Sequence, residues 1–170
     1  MKVMNIIHDS IVDGAGFRSV VFFAGCPHHC RGCHNPQSWN IKNGTNMTKA
    51  EIFEELMQNE LTQITFSGGE PFLQSTKIAP LAKSLKQEGK NIWCYTGFSF
   101  ETLVANPKYL QLLTQIDVLV DGQFQLEKRD ISLLYKGSSN QRIIDVKRSL
   151  QEGNVVLHEK YIPERTGVLI

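Results

Sequence analysis

The sequence has no long apolar run, no block of like charges and almost no net charge. No stretch approaches the roughly 18–20 consecutive apolar residues of a membrane helix, so we expect no membrane partner. Its 18 lysines and arginines oppose 17 aspartates and glutamates and are scattered, so we expect no nucleic-acid partner either. Residues 1–9 turn polar too early for a signal peptide, which predicts a cytoplasmic protein.

The sequence is also poor in cysteine, and three of its four cysteines stand together. Cys26, Cys30 and Cys33 follow the spacing C-x3-C-x2-C. Because cytoplasmic thiols stay reduced, this clustering favours metal or redox sites over disulfides. A [4Fe-4S] cluster normally takes four thiolates, one per iron, so three thiolates leave one iron with an open position. An open position is typical of chemistry rather than of scaffolding.

A structural zinc site is the alternative that this spacing leaves open. His28, His29 and His34 lie inside or beside the cysteine run, and three cysteines with one histidine are an ordinary zinc ligand set. Cys94 is another candidate for the fourth ligand. Its place within a predicted strand favours a small buried apolar residue instead. Trp39 follows the run and either shields a cluster from water or belongs to the core.

Short apolar runs alternate with helical patterns, which predicts a single α/β domain over residues 1–170. A closed eight-stranded barrel typically needs about 250 residues. We therefore expect an open partial (β/α) barrel with about five parallel strands and the helices outside. A flat doubly wound sheet is the structural alternative. The predicted strands are 19–24, 64–66, 91–95, 116–120 and, from weaker signals, 142–144 and 155–157.

Three local signals predict where helices begin and end. Thr48 and Glu51 form a capping-box pattern that opens a helix. Gly89 follows an i, i+3, i+4, i+7 apolar pattern over 78–85 and predicts the end of the next helix. Pro107 predicts a break in the helical stretch between residues 100 and 115.

Polar and glycine residues follow the predicted strands, at the edge where parallel α/β folds bind ligands. Gly68 and Gly69 let backbone approach a ligand closely, and Glu70 beside them suits an ammonium group, although a plain Gly-Gly turn is common. Asp121 suits a ribose hydroxyl or a simple Asp-Gly turn. Residues 136–142 are either a solvated loop or part of the site rim.

Together these segments resemble the radical S-adenosylmethionine (SAM) enzymes, and most closely the branch that activates anaerobic (class III) ribonucleoside-triphosphate reductase. Gly32 stands where the broader superfamily usually has an aromatic residue, and this branch tolerates glycine there. The resemblance implies a barrel of the radical SAM type. The matching segments, in the family's order, are 9–18, 26–36, 67–71, 95–97, 121–124 and 137–142.

The resemblance implies a [4Fe-4S] cluster with three irons on Cys26, Cys30 and Cys33 and with SAM chelating the fourth iron through its amino and carboxylate groups. It implies no catalytic residue beyond the cluster and SAM. The implied SAM contacts are Gly32, Cys33 and His34 near the adenine, Gly68, Gly69 and Glu70 at the methionine end with Glu70 near the ammonium, Asp121 near the ribose, and Thr96 at the rim.

The implied reaction is reductive cleavage of SAM to a 5′-deoxyadenosyl radical, which generates a glycyl radical on the large catalytic subunit of the reductase. An open barrel suits such a macromolecular partner, and Arg142 is a candidate contact at the rim. A flavodoxin-like protein is the implied electron donor. The alternatives are an activase of another glycyl-radical enzyme, a small-molecule radical SAM enzyme and, more remotely, a non-catalytic zinc-binding adaptor.

Overall fold

The computed structural model describes residues 1–161, which form one sheet with all five α-helices of that range packed on one of its faces. The strands are β1 (Lys2–Ser10), β2 (Arg18–Phe23), β3 (Thr45–Asn46), β4 (Gln63–Gly68), β5 (Ile92–Tyr95), β6 (Val118–Asp121) and β7 (Arg142–Asp145). The helices are α1 (Lys49–Met57), α2 (Ser75–Gln87), α3 (Phe100–Val104), α4 (Pro107–Leu113) and α5 (Val146–Glu152).

The seven strands lie in the order β3-β1-β2-β4-β5-β6-β7. Strands β2, β4, β5 and β6 pair in parallel, and each crossover between them carries helices on the same face. Strands β1, β3 and β7 pair antiparallel with their neighbours. Because β3 and β7 lie at opposite edges and do not pair, the sheet is open. The predicted α/β class and open sheet are confirmed.

The prediction of about five parallel strands is wrong in its last member. Strand β7 runs antiparallel to β6, with Asp121 opposite Arg142, so the parallel set has four strands. The physical reason lies in the connection 122–141, which contains only one short 3-10 turn and no crossover helix. Without that helix the chain stays at the edge where β6 ended and re-enters the sheet in the opposite direction.

Strand β1 was not predicted from the sequence. It pairs antiparallel with β2, and residues 2–3 also pair with β3. Polar Asn5 and His8 interrupt its apolar pattern, and only Val3 of its nine residues is fully buried. Such a half-buried strand gives a weak sequence signal because its partners, rather than its own burial, hold it in place.

Two clusters of apolar side chains cover the two faces of the sheet. The larger one lies under the helices and includes Phe23, Phe66 and Cys94. The smaller one lies on the opposite face, where Trp93 packs with Tyr135. Cys94 is completely buried, which confirms that it behaves as a small apolar residue of the core.

The predicted helix signals are confirmed. Thr48 and Glu51 form the complete capping box of α1. Gly89 follows α2 with a φ of +74°, the left-handed conformation that ends helices. Pro107 opens α4 as a helix separate from α3.

The predicted last strand at 155–157 is reduced to a single bridge. Leu157 pairs antiparallel with Ile144, and Asp145 N–H donates to Val156 O at 3.0 Å. The chain beyond residue 161 lies outside the described residues. No helix within residues 1–161 has both the length and the apolar character needed to cross a bilayer.

Candidate functional site

A cavity of about 380 Å³ lies at the carboxyl ends of the four parallel strands. Residues that follow or end each of these strands line it, as ligand sites in parallel α/β folds require. The three clustered cysteines all reach it. Of the segments singled out in the sequence, the lining residues are Val12, Asp13, Cys26, His28, Cys30, Cys33, His34, Asn35, Trp39, Ser67, Gly68, Gly69, Tyr95, Thr96, Gly97, Gly122, Gln123, Phe124, Lys136, Gly137 and Gln141.

Backbone hydrogen bonds shape the loop that carries the three cysteines. Cys26 N–H donates to Trp39 O at 3.1 Å, and Cys33 N–H donates to Cys30 O at 3.1 Å. Asn35 N–H donates to the Cys33 Sγ at 3.3 Å. All three thiols are half-buried and free of disulfides. Burial raises the pKa of the Cys26 and Cys30 thiols, so they need a bound cation to become thiolates at neutral pH.

Gly68 and Gly69 let two strand ends approach each other. A Cβ on Gly68, whose φ is +102°, would lie 2.4 Å from the Phe23 nitrogen. A Cβ on Gly69 would lie 2.4 Å from the Gly25 oxygen. Any other residue here would therefore push the cysteine loop away from β4. Both glycines also line the cavity, which leaves their backbone near any ligand there.

Glu70 lies beside the cavity rather than in its lining. It is completely buried. Its carboxylate accepts hydrogen bonds from the Thr96 hydroxyl at 2.8 Å, from Gly97 N–H at 2.8 Å and from Phe72 N–H at 3.0 Å. Its Oε2 also lies 2.9 Å from His28 Nε2. These partners occupy the carboxylate, and the ammonium contact implied by the resemblance stays a prediction.

The sequence suggested His28 only as a zinc ligand. In the structure His28, which follows β2, lies against Glu70 and Gly97, which follow β4 and β5. Its imidazole pairs with Glu70 and packs edge-on against Phe98, with ring centroids 4.7 Å apart. A Cβ on Gly97 would lie 2.3 Å from the His28 ring, so glycine is needed there. Gln123 Nε2 lies 3.2 Å from His28 Nδ1. No sequence pattern singles out this role.

Thr96 lines the cavity, but Asp121 does not. The Thr96 hydroxyl donates to Glu70 and accepts from Phe98 N–H at 3.1 Å. The buried Asp121 carboxylate accepts from Phe100 N–H at 2.8 Å and from Arg142 Nε at 2.9 Å. Its neighbours at 122 and 123 reach the cavity instead.

Arg142, suggested as a partner contact, is held in two ion pairs. Its guanidinium contacts Asp121 at 2.5 Å and Glu101 at 2.9 Å. Hydrogen bonds from Arg142 lower the pKa of Glu101 to about 2. These pairs hold the start of β7 against the end of β6 and the start of α3, so the side chain is not a free rim cation.

Aromatic rings stand at two sides of the cysteine loop. His34 is exposed and packs against Phe124, with ring centroids 5.1 Å apart, and both line the cavity. Trp39 packs against His29 at 4.7 Å and is half-buried. Gly32 does not line the cavity. Its φ of +76° lies in the left-handed region and lets the cysteine loop turn at this position.

The long connection 122–141 forms one wall of the cavity. Phe124, Leu133 and Tyr135 all line it, and no sequence pattern predicts an individual role for any of them. Val12 and Asp13 line it from the segment before β2. The sequence feature that indicates a role for this segment is its length, because long irregular segments in compact domains are often functional.

The candidate zinc ligands have other partners in this structure. His28 contacts Glu70, His29 packs on Trp39, and Cys94 belongs to the core. Within residues 1–161 no three histidine, cysteine, aspartate or glutamate side chains come close enough to share a single metal ion.

The sequence matches one protein-family model, described as a 4Fe-4S single cluster domain, over residues 12–144. An anaerobic ribonucleoside-triphosphate reductase-activating protein from Pasteurella multocida is 38% identical over 153 residues, covering 84% of this chain and 96% of that protein. The protein of that name from Escherichia coli K12 is 37% identical, covering 77% and 90%. The solved structure of QueE from Escherichia coli aligns with a TM-score of 0.47 and 15% identity, covering 56% of this chain and 51% of that one.

Proposed function

This chain belongs to the family of anaerobic ribonucleoside-triphosphate reductase-activating proteins, and we propose that it generates the glycyl radical on the large subunit of such a reductase. The observation that carries this proposal is the convergence of three free cysteines on one cavity at the carboxyl edge of the parallel strands. We place the whole reaction in a single domain over residues 1–170.

Cys26, Cys30 and Cys33 would hold three irons of a [4Fe-4S] cluster. The donor set fits this group because all three thiols are free, half-buried and directed to one cavity. The family match to a 4Fe-4S single cluster domain supports the same assignment. Three protein ligands would leave one iron for SAM, and a bound cluster would supply the electron for the reductive cleavage of SAM that generates the radical on the partner's glycine.

The chain's own residues bind and orient SAM. Gly68, Gly69, His34 and Thr96 line the cavity and are proposed as contacts, together with the backbone around Gly32 and Cys33. Residues that hold SAM in one orientation against the cluster lower the entropic part of the activation barrier.

Glu70 and Asp121 complete the proposed SAM site. Both are buried and hydrogen-bonded to protein groups. Glu70 therefore acts on the methionine end through Gly69 and Thr96, and Asp121 acts on the ribose end through residues 122 and 123. The curvature of the sheet into a partial (β/α) barrel of the radical SAM type belongs to this proposal.

The reductase docks on the apolar rim of the cavity, which we define as Val12, Ile131, Leu133 and Leu134. Val12 and Leu133 line the cavity, and Val12, Ile131 and Leu134 are 72%, 89% and 64% exposed. An exposed apolar group of this kind is typical of a protein-binding surface. A flavodoxin-like electron donor, a cytoplasmic location and the lack of nucleic-acid or membrane partners are parts of the same proposal.

Anaerobic reconstitution with iron and sulfide tests this function. The reduced protein should cleave SAM to methionine and 5′-deoxyadenosine, and with the purified large subunit it should produce the glycyl-radical EPR signal. SAM cleavage without a glycyl radical would favour another glycyl-radical enzyme or a small molecule as the substrate. A colourless protein with one zinc per chain would support the adaptor alternative.

A further inference from the structure

Trp93 contacts both chain segments that carry the apolar rim. It stands on β5, is buried and does not line the cavity. The ring of Tyr135 packs edge-on against its indole, with ring centroids 5.3 Å apart. The backbone of Gly14 lies so close to the indole that a Cβ there would be 2.9 Å from Trp93 Cδ2. One side chain of the sheet therefore meets two segments that are far apart in sequence.

The rim residues stand next to these two contacts in the chain. Leu133 and Leu134 immediately precede Tyr135, and Val12 stands two residues before Gly14. Within residues 1–161, none of these three rim side chains packs against either of the two apolar clusters of the sheet. Their positions therefore depend on how the neighbouring contacts with Trp93 are held.

The stretch 131–135 has few other ties to the domain. Between described residues, the hydrogen bonds of this stretch reach only Asp130. Tyr135 has a φ of +57°, a left-handed conformation that is unfavourable for a residue with a side chain. Such a conformation persists where the surrounding structure fixes it. Here the ring packs against Trp93 and Tyr161, which fixes the backbone beside the rim.

Arg18 holds the segment before β2 against the same indole. Its guanidinium donates to the Ala15 oxygen at 2.9 Å and lies over the Trp93 ring, 5.3 Å from the ring centroid. A cation is attracted to an aromatic face in this position. The Thr65 hydroxyl adds a second tie by donating to the Asp13 oxygen at 2.7 Å. The contact of the segment with Trp93 is therefore fixed by polar groups as well as by packing.

We propose that Trp93 is a positioning residue for docking of the reductase, because it holds Gly14 and Tyr135, and through them both sides of the apolar rim, in one arrangement. A surface that is ordered before binding loses less conformational entropy when its partner binds. Removing the indole keeps the rim residues but frees their arrangement, so docking should weaken. Because Trp93 does not line the cavity, SAM cleavage should be retained. This inference rests on the proposed function, since it concerns docking of the same partner.

The test compares Trp93→Leu with the unchanged protein, both reconstituted anaerobically. The rate of glycyl-radical formation against the concentration of large subunit gives the KM, and SAM cleavage is measured without the partner. Trp93→Leu should raise the KM about tenfold while SAM cleavage stays within about twofold. An unchanged KM would overturn the inference. A proportional loss of SAM cleavage would also overturn it, because the indole would then serve the cavity itself.

Leu119→Ala is the matched control, and Trp93→Phe is the conservative variant. Leu119 is completely buried in β6, the strand beside β5, but its side chain lies in the larger apolar cluster on the opposite face of the sheet. Leu119→Ala should lower the urea midpoint without raising the KM. Trp93→Phe keeps an aromatic ring for Tyr135 and should raise the KM less than Trp93→Leu does. Equal KM values in Leu119→Ala and Trp93→Leu would trace the effect to stability alone and overturn the inference.

Tyr135 keeps the inference testable if Trp93→Leu does not fold. Asparagine accepts the left-handed backbone but has no aromatic ring, whereas phenylalanine keeps the ring. Tyr135→Asn should therefore raise the KM about tenfold, and Tyr135→Phe should leave it near that of the unchanged protein. The inference is wrong if the two variants have the same KM.

Hydrogen exchange separates failure of this inference from failure of the proposed function. In Trp93→Leu the amides of 12–17 and 131–136 should exchange faster together, while the five helices keep their protection. Faster exchange in only one of the two segments, or in neither, would overturn the inference. Failure of the proposed function is a different result, in which the unchanged protein forms no glycyl radical on the large subunit, whatever its exchange pattern.

Discussion

Replacing Ile131 with aspartate should weaken docking of the reductase without affecting SAM cleavage. Ile131 is 89% exposed and lies two residues from Leu133, which lines the cavity. Burying such a side chain in an interface stabilises a complex by about 1.5–3 kcal/mol. Since about 1.4 kcal/mol is a tenfold change in affinity, the apparent KM for the large subunit should rise roughly 10- to 100-fold.

Leu61→Asp is the matched control for this prediction. Leu61 is also 89% exposed, but it precedes β4 and so lies at the amino end of the parallel strands, away from the cavity. The assay is the initial rate of glycyl-radical formation against the concentration of large subunit, with SAM cleavage in the absence of partner measured in parallel. Thermal unfolding should be alike for both variants.

Two results would refute the reasoning about the rim. One is an equal rise in KM for both variants, which would trace the effect to added surface charge. The other is an Ile131→Asp protein whose KM is unchanged, which would place the reductase elsewhere. Loss of SAM cleavage in the Ile131 variant without partner would show that the side chain serves the cavity itself.

Three further predictions concern the site and the ion pairs around it. Cys33→Ala should lose the cluster, whereas Cys94→Ala should retain it because that thiol lies in the core; iron and sulfide analysis after reconstitution checks both, and equal iron contents would contradict the assignment. Gly69→Ala should destabilise the fold by about 1–3 kcal/mol in urea unfolding and reduce iron content, since its Cβ would lie 2.4 Å from a backbone oxygen of the cysteine loop. The pKa of Glu101 falls from 4.5 to about 2 through its hydrogen bonds with Arg142, so its stabilising contribution is complete above 4.5 and is lost as the pH falls towards 2. Glu101→Gln should flatten the dependence of the urea midpoint on pH across that interval, and an unchanged slope would assign the acid sensitivity to other carboxylates.

Local sequence signals predicted local structure well. The capping box at Thr48 and Glu51, the helix end at Gly89 and the break at Pro107 are decided within one or two turns of chain. The buried state of Cys94 followed from its place in an apolar strand. Each of these features depends on neighbours in sequence, which a reader of the sequence can see.

The hydrogen-bond partners of the carboxylates in the site could not be predicted from local sequence. The family resemblance implies ligand contacts at Glu70 and Asp121, and both residues do lie at the carboxyl edge of the strands. Their hydrogen-bond partners, however, come from distant parts of the chain: Thr96 and His28 for Glu70, and Arg142 for Asp121. A sequence predicts that a carboxylate lies at the carboxyl edge of the sheet, but it does not identify which protein groups donate hydrogen bonds to it.

The sequence by itself determined that three cysteines stand within eight residues and that glycines follow the predicted strands, because spacing along the chain is a covalent fact. It also determined the alternation of strands and helices through apolar periodicity. Only the tertiary structure decided the direction of β7, the strand formed by residues 2–10 and the contact of His28 with Glu70. These depend on pairings between residues far apart in sequence, whose free energy appears only when the whole sheet is assembled.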